Sequence, residues 1–451
     1  MELIDRLAAE LPDGRVISDP DVIDSYRQDR LPLPAGQPLG VVCAKETADV
    51  VATLRWASAH RVPVVPRGAG TGLVGGAAAV TGGIVLSLAG MRAIRELSPA
   101  DQLAVAEAGV VNADLDRAAR RHGLMYAPDP SSYEMCTIGG NVATNAGGLR
   151  CVKYGVTKDA VLGLEVVLAD GRVLSTGART VKHVTGYDLT SLFVGSEGTL
   201  GVVTAATLRL RPVPGTVPAT LTATFTSLRA AAEAVSAIMA AGIEPSLLEL
   251  LDRATLRAVD DWKNIGLDDN VQAMLLGQAD SADAESTAKR MARLCAGASD
   301  VVVTTDPEEA AQLIGLRRLT YLAGERLGAC FAEDVCVPRS RLPEAIELVE
   351  AAAARHDVHI MSVAHAGDGN LHPLFVYDRE ATRVPDAVWA AADEIFRGAL
   401  ALGGTLTGEH GVGTLKRRWL ELELGADGLD VHRAIKSALD PLGVLNPGKA
   451  L

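Results

Sequence analysis

The chain has 451 residues, 48% of them hydrophobic, and a formal charge of −13. That length exceeds one ordinary domain and supplies apolar residues for two or more cores. The acidic balance argues against nucleic acid or an anionic membrane surface as main partner, so an anionic substrate would need locally placed Arg or Lys.

The opening MELIDRLAAELPDGR is an acidic amphipathic stretch without the basic-then-apolar order of a signal peptide, and residues 1–34 are assigned to an N-terminal helical segment. Residues 40–60 predict a strand followed by an amphipathic helix capped near Thr47. A strand (62–66), a glycine-rich loop (67–83) and another strand (84–88) follow. Further strands are expected at 103–110 and 161–169, the latter closing on the hairpin turn Asp170-Gly171, with a helix at 112–122 between them. RPVPGTVP (211–218) reads as a domain boundary. Beyond it, strand-then-helix patterns recur at 220–241 and 271–295, which predicts a sheet with helices on one face. A helix over 308–326 carries Arg317 and Arg318. No apolar run reaches transmembrane length. The six cysteines (Cys43, Cys136, Cys151, Cys295, Cys330 and Cys336) include no Cys-x-x-Cys pair and fit reduced thiols in a cytoplasmic protein.

HAGDGNLHP (365–373) is the densest chemical motif. Asp368-Gly369 suits a two-residue hairpin loop. A turn there pairs 367 with 370, 366 with 371 and 365 with 372, setting His365 opposite His372 with Cβ atoms roughly 5 Å apart. That geometry suits one divalent metal. Glu409, in GEHG (408–411), offers a third ligand, and His410 beside it could move a proton. A His-His-Glu set accepts zinc, with manganese or iron(II) as alternatives. Three of the nine histidines fall in these two motifs.

PRGAGTGLVGG (66–76) formally contains G-x-G-x-x-G, but Gly75, Gly76, Gly82 and Gly83 break the helix that a dinucleotide-binding βαβ unit needs. A loop this rich in glycine still exposes backbone N–H groups that can cradle phosphate. PDPSSYEMCTIGGNVATNAGGLRCVKYG (128–155) and GYDLTSLFVGSEGTLGVVT (186–204) are two more such regions. Together the three imply close backbone approach to a large phosphorylated cofactor.

PRGAGTG, IGGNVATNAGGLR, GSEGTLG, HAGDGNLH and GEHGVG, in this order, resemble the flavoproteins of vanillyl-alcohol oxidase or PCMH type. Within them the chain is similar to the FAD-linked D-2-hydroxyacid dehydrogenases, which include D-lactate dehydrogenase, the glycolate oxidase catalytic subunit and D-2-hydroxyglutarate dehydrogenase. The resemblance runs from about residue 35 to 449. It implies an α+β architecture: a two-subdomain FAD-binding domain (35–214), an antiparallel-sheet substrate or cap domain (215–402), and a C-terminal segment (403–451) returning to the FAD domain. Pro66, Arg67, Gly68, Ala69, Gly70, Thr71, Gly72, Gly75 and Gly76 would hold the FAD pyrophosphate. Pro130, Ser131, Gly139, Asn141, Thr144 and Gly148 would line the rest of the cofactor path, with Glu197, Gly201, Val202 and Asn446 contributing. No histidine lies in the pyrophosphate loop, so non-covalent FAD is expected.

By the same resemblance, His365, His372 and Glu409 are metal ligands and His410 is the catalytic base. Arg317 binds the substrate carboxylate, which a planar guanidinium can hold through two charge-assisted hydrogen bonds. The implied reaction is oxidation of a small D-2-hydroxy acid, D-lactate first and glycolate second, by hydride transfer to flavin N5. DVCVPRSRLPE (334–344) is most similar to the D-lactate type. Ala332 stands where the hydroxyglutarate type has a lysine, which disfavours a dicarboxylate, and Ile314 stands where the family has a tryptophan. Electrons would leave to a separate quinone, cytochrome or electron-transfer flavoprotein, with the protein cytoplasmic or peripheral at the membrane through that acceptor. Homo-oligomerisation is left open. Two rival classes are a metal-dependent hydrolase, in which His410 activates water, and a flavin-binding subunit with no substrate of its own.

Overall fold

The computed structural model describes residues 3–31 and 33–451. The chain forms two compact units. Unit 1 comprises residues 1–147, 155–213 and 409–451, and unit 2 comprises residues 148–154 and 214–408.

Unit 1 contains a four-stranded sheet of β1 (Val16–Ile17), β2 (Gly40–Cys43), β3 (Val64–Arg67) and β4 (Ile84–Ser87), in the order β1-β2-β4-β3. β2, β4 and β3 run parallel, and β1 joins antiparallel at the edge. The runs GVVC and IVLS are apolar almost throughout because this sheet is covered on both faces. The first 34 residues therefore supply a strand as well as their helices, since pairing of Val16 and Ile17 satisfies the edge of β2. The helix Thr47–His60 follows β2, with Glu46 rather than Thr47 at its N-cap and no side-chain cap bond. Thr47 Oγ1 instead donates to Glu165 Oε1 at 2.7 Å. Between β3 and β4 there is no helix, only the glycine loop, as the breaks at Gly75, Gly76, Gly82 and Gly83 predict.

A second sheet of unit 1 is antiparallel, with β5 (Ile94–Ser98), β6 (Leu103–Glu107), β8 (Val161–Val167), β9 (Val173–Gly177) and β10 (Val202–Arg209) in the order β5-β6-β10-β8-β9. β7 (Leu124–Met125) and β11 (Arg211–Pro212) form a short pair beside it. The turn at Asp170-Gly171 joins β8 to β9, with Gly171 at φ +78°. The C-terminal segment packs back into unit 1. Val444 and Leu445 enter the core of the first sheet, Leu445 bridges Val64, and Ile435 and Leu439 pack against the second core.

Unit 2 is built on β12 (Ala219–Phe225), β13 (Leu247–Asp252), β14 (Ala273–Ala279), β15 (Ala298–Thr304), β16 (Ala329–Ala332), β17 (Val335–Cys336), β18 (His359–His365) and β19 (Asn370–Tyr377). The order is β15-β12-β14-β13-β18-β19-β16, with β17 also on β19, and every pairing is antiparallel. The helices Leu228–Ala240, Ala284–Leu294 and Leu342–His356 pack on one face, as the strand-then-helix patterns predict. The other face is not bare. The helices Arg253–Lys263 and Thr320–Leu327 join Met361 and Leu374 there, and Leu313 and Ile314 of the helix Pro307–Arg318 pack on Leu247 and Leu276. The single helix expected over 308–326 is in fact these two, separated at Leu319.

Candidate active site

In unit 2 the hairpin β18–β19 carries the two motif histidines. Its loop is four residues, Ala366–Gly369, rather than two. His365 therefore pairs with Asn370, and His372 pairs with Val363. The expected register is displaced by two residues because His365 O accepts from Asp368 N at 3.0 Å and Ala366 O accepts from Gly369 N at 3.3 Å, turning the chain earlier. A two-residue shift preserves the parity of side chains across a sheet, so both histidines remain on one face, as diagonal neighbours instead of a direct pair. Their ring centroids lie 5.0 Å apart at an interplanar angle of 83°. Each offers a ring nitrogen, and these atoms lie within 4.8 Å of one another. A carboxylate oxygen of Asp334 lies within the same distance of His372.

Arg317 and His365 converge on a residue that sequence reasoning missed. Glu249, in the middle of β13, is 0% exposed and stands directly opposite His365 in register. Its Oε1 receives Nδ1 of His365 at 2.8 Å and its Oε2 receives Nε of Arg317 at 2.8 Å. Burial by itself would raise the Glu249 carboxyl, but the adjacent His365 and Arg317 outweigh it and hold the group below its ordinary range. Arg317, 4% exposed, is thus an internal ion-pair member and not a solvated helix residue; Thr320 Oγ1 lies 3.5 Å from its Nη1. The signal was present: a lone Glu in LLELLD breaks an otherwise apolar strand, and a buried carboxylate needs partners.

Asp334, also 0% exposed, accepts the Gly408 N–H on both oxygens at 3.0 and 3.1 Å. Gly408 lies against Asn370, where a Cβ would come within 2.5 Å of Oδ1. Oδ1 of Asn370 is buried without a hydrogen-bond partner. Glu409 and His410, both half-buried, follow Gly408 directly in the chain. On the unit 1 side, a Cβ on Gly147 would overlap the Glu409 carboxylate.

Unit 1 brings most of the predicted cofactor residues onto one set of loops. Pro66 and Arg67 end β3, and Gly68, Gly70, Thr71 and Gly72 follow half-buried, with Ala69 exposed. Gly70 has φ +73° and a Cβ there would overlap the Arg67 guanidinium, which folds back under the loop and donates to the Ala77 carbonyl at 3.4 Å. Burial lowers the Arg67 pKa, opposed by Asp29. A Cβ on Gly68 would overlap Thr137 Oγ1, the cap of the helix Ile138–Thr144. That helix carries Gly139, Asn141 and Thr144; Gly139 N bonds Ala108 O at 2.8 Å, and Thr144 Oγ1 bonds Gly140 O at 3.2 Å. Pro130 is half-buried and Ser131 exposed, in the loop leading to it. Gly148 begins the excursion into unit 2.

Glu197 and Asn446 are brackets. Glu197 has φ +51° and accepts the N–H groups of Val412 at 2.7 Å and Gly413 at 2.8 Å. Burial raises its pKa, and those two N–H groups lower it in part. Asn446 Nδ2 donates to the carbonyls of Gly76 at 2.9 Å and Glu197 at 2.7 Å, while its Oδ1 is buried without a hydrogen-bond partner. Gly75, φ +79°, leaves room for Thr414. Gly201 and Val202 lie in the core instead, where a Cβ on Gly201 would press on Val166 and Phe193. Small residues, left-handed backbone at Gly70 and Gly75, and an unpartnered buried acceptor at Asn446 suit close approach by a phosphorylated, hydroxyl-bearing cofactor.

Comparison with known proteins agrees. Residues 38–177 match the FAD binding domain family and residues 216–450 match the FAD linked oxidases, C-terminal domain. The glycolate oxidase subunit GlcD of Bacillus subtilis (strain 168) is 44% identical over 429 residues, 94% of this chain and 91% of that protein. A D-lactate dehydrogenase of Archaeoglobus fulgidus is 37% identical over 445 residues, 95% of this chain and 96% of its own. The structure of p-cresol methylhydroxylase with substrate bound superposes with TM-score 0.81 at 18% identity, covering 99% of this chain and 96% of that one, which shows a shared fold. Among the described residues no helix is long and apolar enough to cross a membrane.

Proposed function

The chain belongs to the FAD-linked oxidoreductases of glycolate oxidase subunit and D-lactate dehydrogenase type, and from that premise we propose that it oxidises a small 2-hydroxy monocarboxylate to the 2-oxo acid. The observation that carries the substrate class is the convergence of Arg317 and two imidazoles on one buried face of unit 2. A guanidinium whose Nε is committed to Glu249 and whose Nη1 also reaches Thr320 Oγ1 still has further Nη N–H groups to offer a carboxylate. D-lactate is the reading that the sequence features favour, and glycolate is the second, supported by the name of the Bacillus relative.

The residues divide the work. Arg317 binds the carboxylate and orients the acid. His365 and His372, with Glu409 as third ligand, are a donor set for one divalent ion, zinc by ligand type and manganese or iron(II) otherwise. Support for Glu409 is its covalent position: Gly408 is held by Asp334, and a ligand atom of Asp334 lies within 4.8 Å of His372. A divalent ion held by His365, His372 and Glu409 would supply Lewis acidity toward the α-hydroxyl, and FAD, held non-covalently, would supply the hydride acceptor. His410 removes the hydroxyl proton. A quinone, cytochrome or electron-transfer flavoprotein takes the electrons onward.

Anaerobic addition of D-lactate, glycolate, L-lactate and D-2-hydroxyglutarate to the oxidised protein tests the reading. Rapid flavin bleaching by D-lactate or glycolate, and not by L-lactate, is expected; bleaching by none of the four acids overturns it. His410→Ala should keep bound FAD and lose at least about a hundredfold of the bleaching rate, the scale of general base catalysis. A variant that bleaches at the normal rate removes His410 from the reaction.

A further inference from the structure

We propose that Glu249 is a positioning residue that selects the tautomer of His365. The inference rests on the metal and substrate reading above and adds a residue to which that reading assigns nothing. Glu249 is fully buried on β13, opposite His365 in register, and each of its oxygens has one partner: Nδ1 of His365 and Nε of Arg317.

A carboxylate can only accept, so a neutral His365 facing it carries its proton on Nδ1 and keeps the lone pair on Nε2. Nε2 is then the nitrogen available as a ligand, in the carboxylate–histidine–metal arrangement by which a second carboxylate orients a metal-binding imidazole. The other oxygen of the same carboxylate orients the Arg317 guanidinium. One side chain thus aligns both the ligand and the substrate anchor, and the strand register keeps its own position fixed.

Glu249→Gln separates this role from simple packing, because a carboxamide has one acceptor and one donor end. Arg317 is always charged and has only N–H groups to offer, so the amide oxygen turns to it. The amide N–H then faces His365 Nδ1, and the ring moves its proton to Nε2. Histidine nitrogen NMR on the zinc-free, FAD-loaded full chain at pH 8.5 reads this directly, with His365→Ala assigning the signal. The wild type is expected to show the Nδ1–H form and Glu249→Gln the Nε2–H form, with zinc affinity weakened about 10- to 100-fold and the flavin spectrum unchanged. A wild-type His365 in the Nε2–H form overturns the proposal whether or not the variant folds. So does a folded Glu249→Gln that keeps the Nδ1–H form. If wild type and variant show the expected tautomers but neither binds zinc, the positioning role stands and the metal reading fails.

Discussion

Arg317 and Glu249 form a buried ion pair in which each partner depends on the other's charge. Removing one member leaves a charge uncompensated inside unit 2, so Arg317→Ala should destabilise that unit by about 3–5 kcal/mol. Urea unfolding measures it; a change under 1 kcal/mol would mean that the pair is solvated in solution. Asp252 is a different buried acid. It caps the helix Arg253–Lys263 through Thr255 N–H and accepts Ser362 N–H at 2.7 Å, yet burial raises its pKa to about 6. An unfolded Asp titrates near 3.8, so between about pH 4 and 6 the unfolded chain releases a proton that the folded chain keeps. Stability contributed by this group is therefore present below pH 4, lost as pH rises through that window, and constant above it. The loss is about 3 kcal/mol at most. Unfolding midpoints of the wild type and Asp252→Asn from pH 4 to 7.5 should diverge in slope only within the window, and parallel curves would refute the buried, protonated acid.

At the scale of elements, the hairpin β18–β19 decides where the imidazoles of His365 and His372 stand. Gly369 has φ +79°, and a Cβ there would overlap the Val337 carbonyl. Gly369→Ala therefore strains the turn and also pushes on the chain leading to the segment Arg339–Arg341. We expect its zinc affinity to fall at least tenfold, read by titration with a competing chelator, while FAD remains bound. Unchanged affinity would show that the turn does not control the two histidines. The sequence carried the ingredients of this element, namely two apolar runs, Asp-Gly and both histidines. It did not carry the loop length, because two- and four-residue loops are both compatible with AGDG, and backbone hydrogen bonds at Asp368 and Gly369 choose between them. The shared face survived the error only because the shift was even.

Across the whole molecule, the glycine loop 66–76 belongs to unit 1 together with Glu409 and His410, whereas Arg317, His365 and His372 belong to unit 2. FAD in excess at about a hundred times its Kd should stabilise the unit that binds it by about 2.7 kcal/mol. Hydrogen exchange should then slow in the strands between residues 40 and 209, with unit 2 strands little affected; equal slowing everywhere would assign the stabilisation to the whole chain. By itself, the sequence determined the glycine loops, the absence of a dinucleotide-type helix after β3, and the motifs that identify an FAD-linked oxidase, because turn chemistry and short motifs are local. Only tertiary structure decided that Glu249 lies opposite His365, that Arg317 is buried on it, and that Glu197 binds the N–H groups of Val412 and Gly413 while Asn446 holds the glycine loop at Gly76. These pairings join residues 68 to 370 positions apart, and no local propensity encodes which distant donor a buried carboxylate or carboxamide will find.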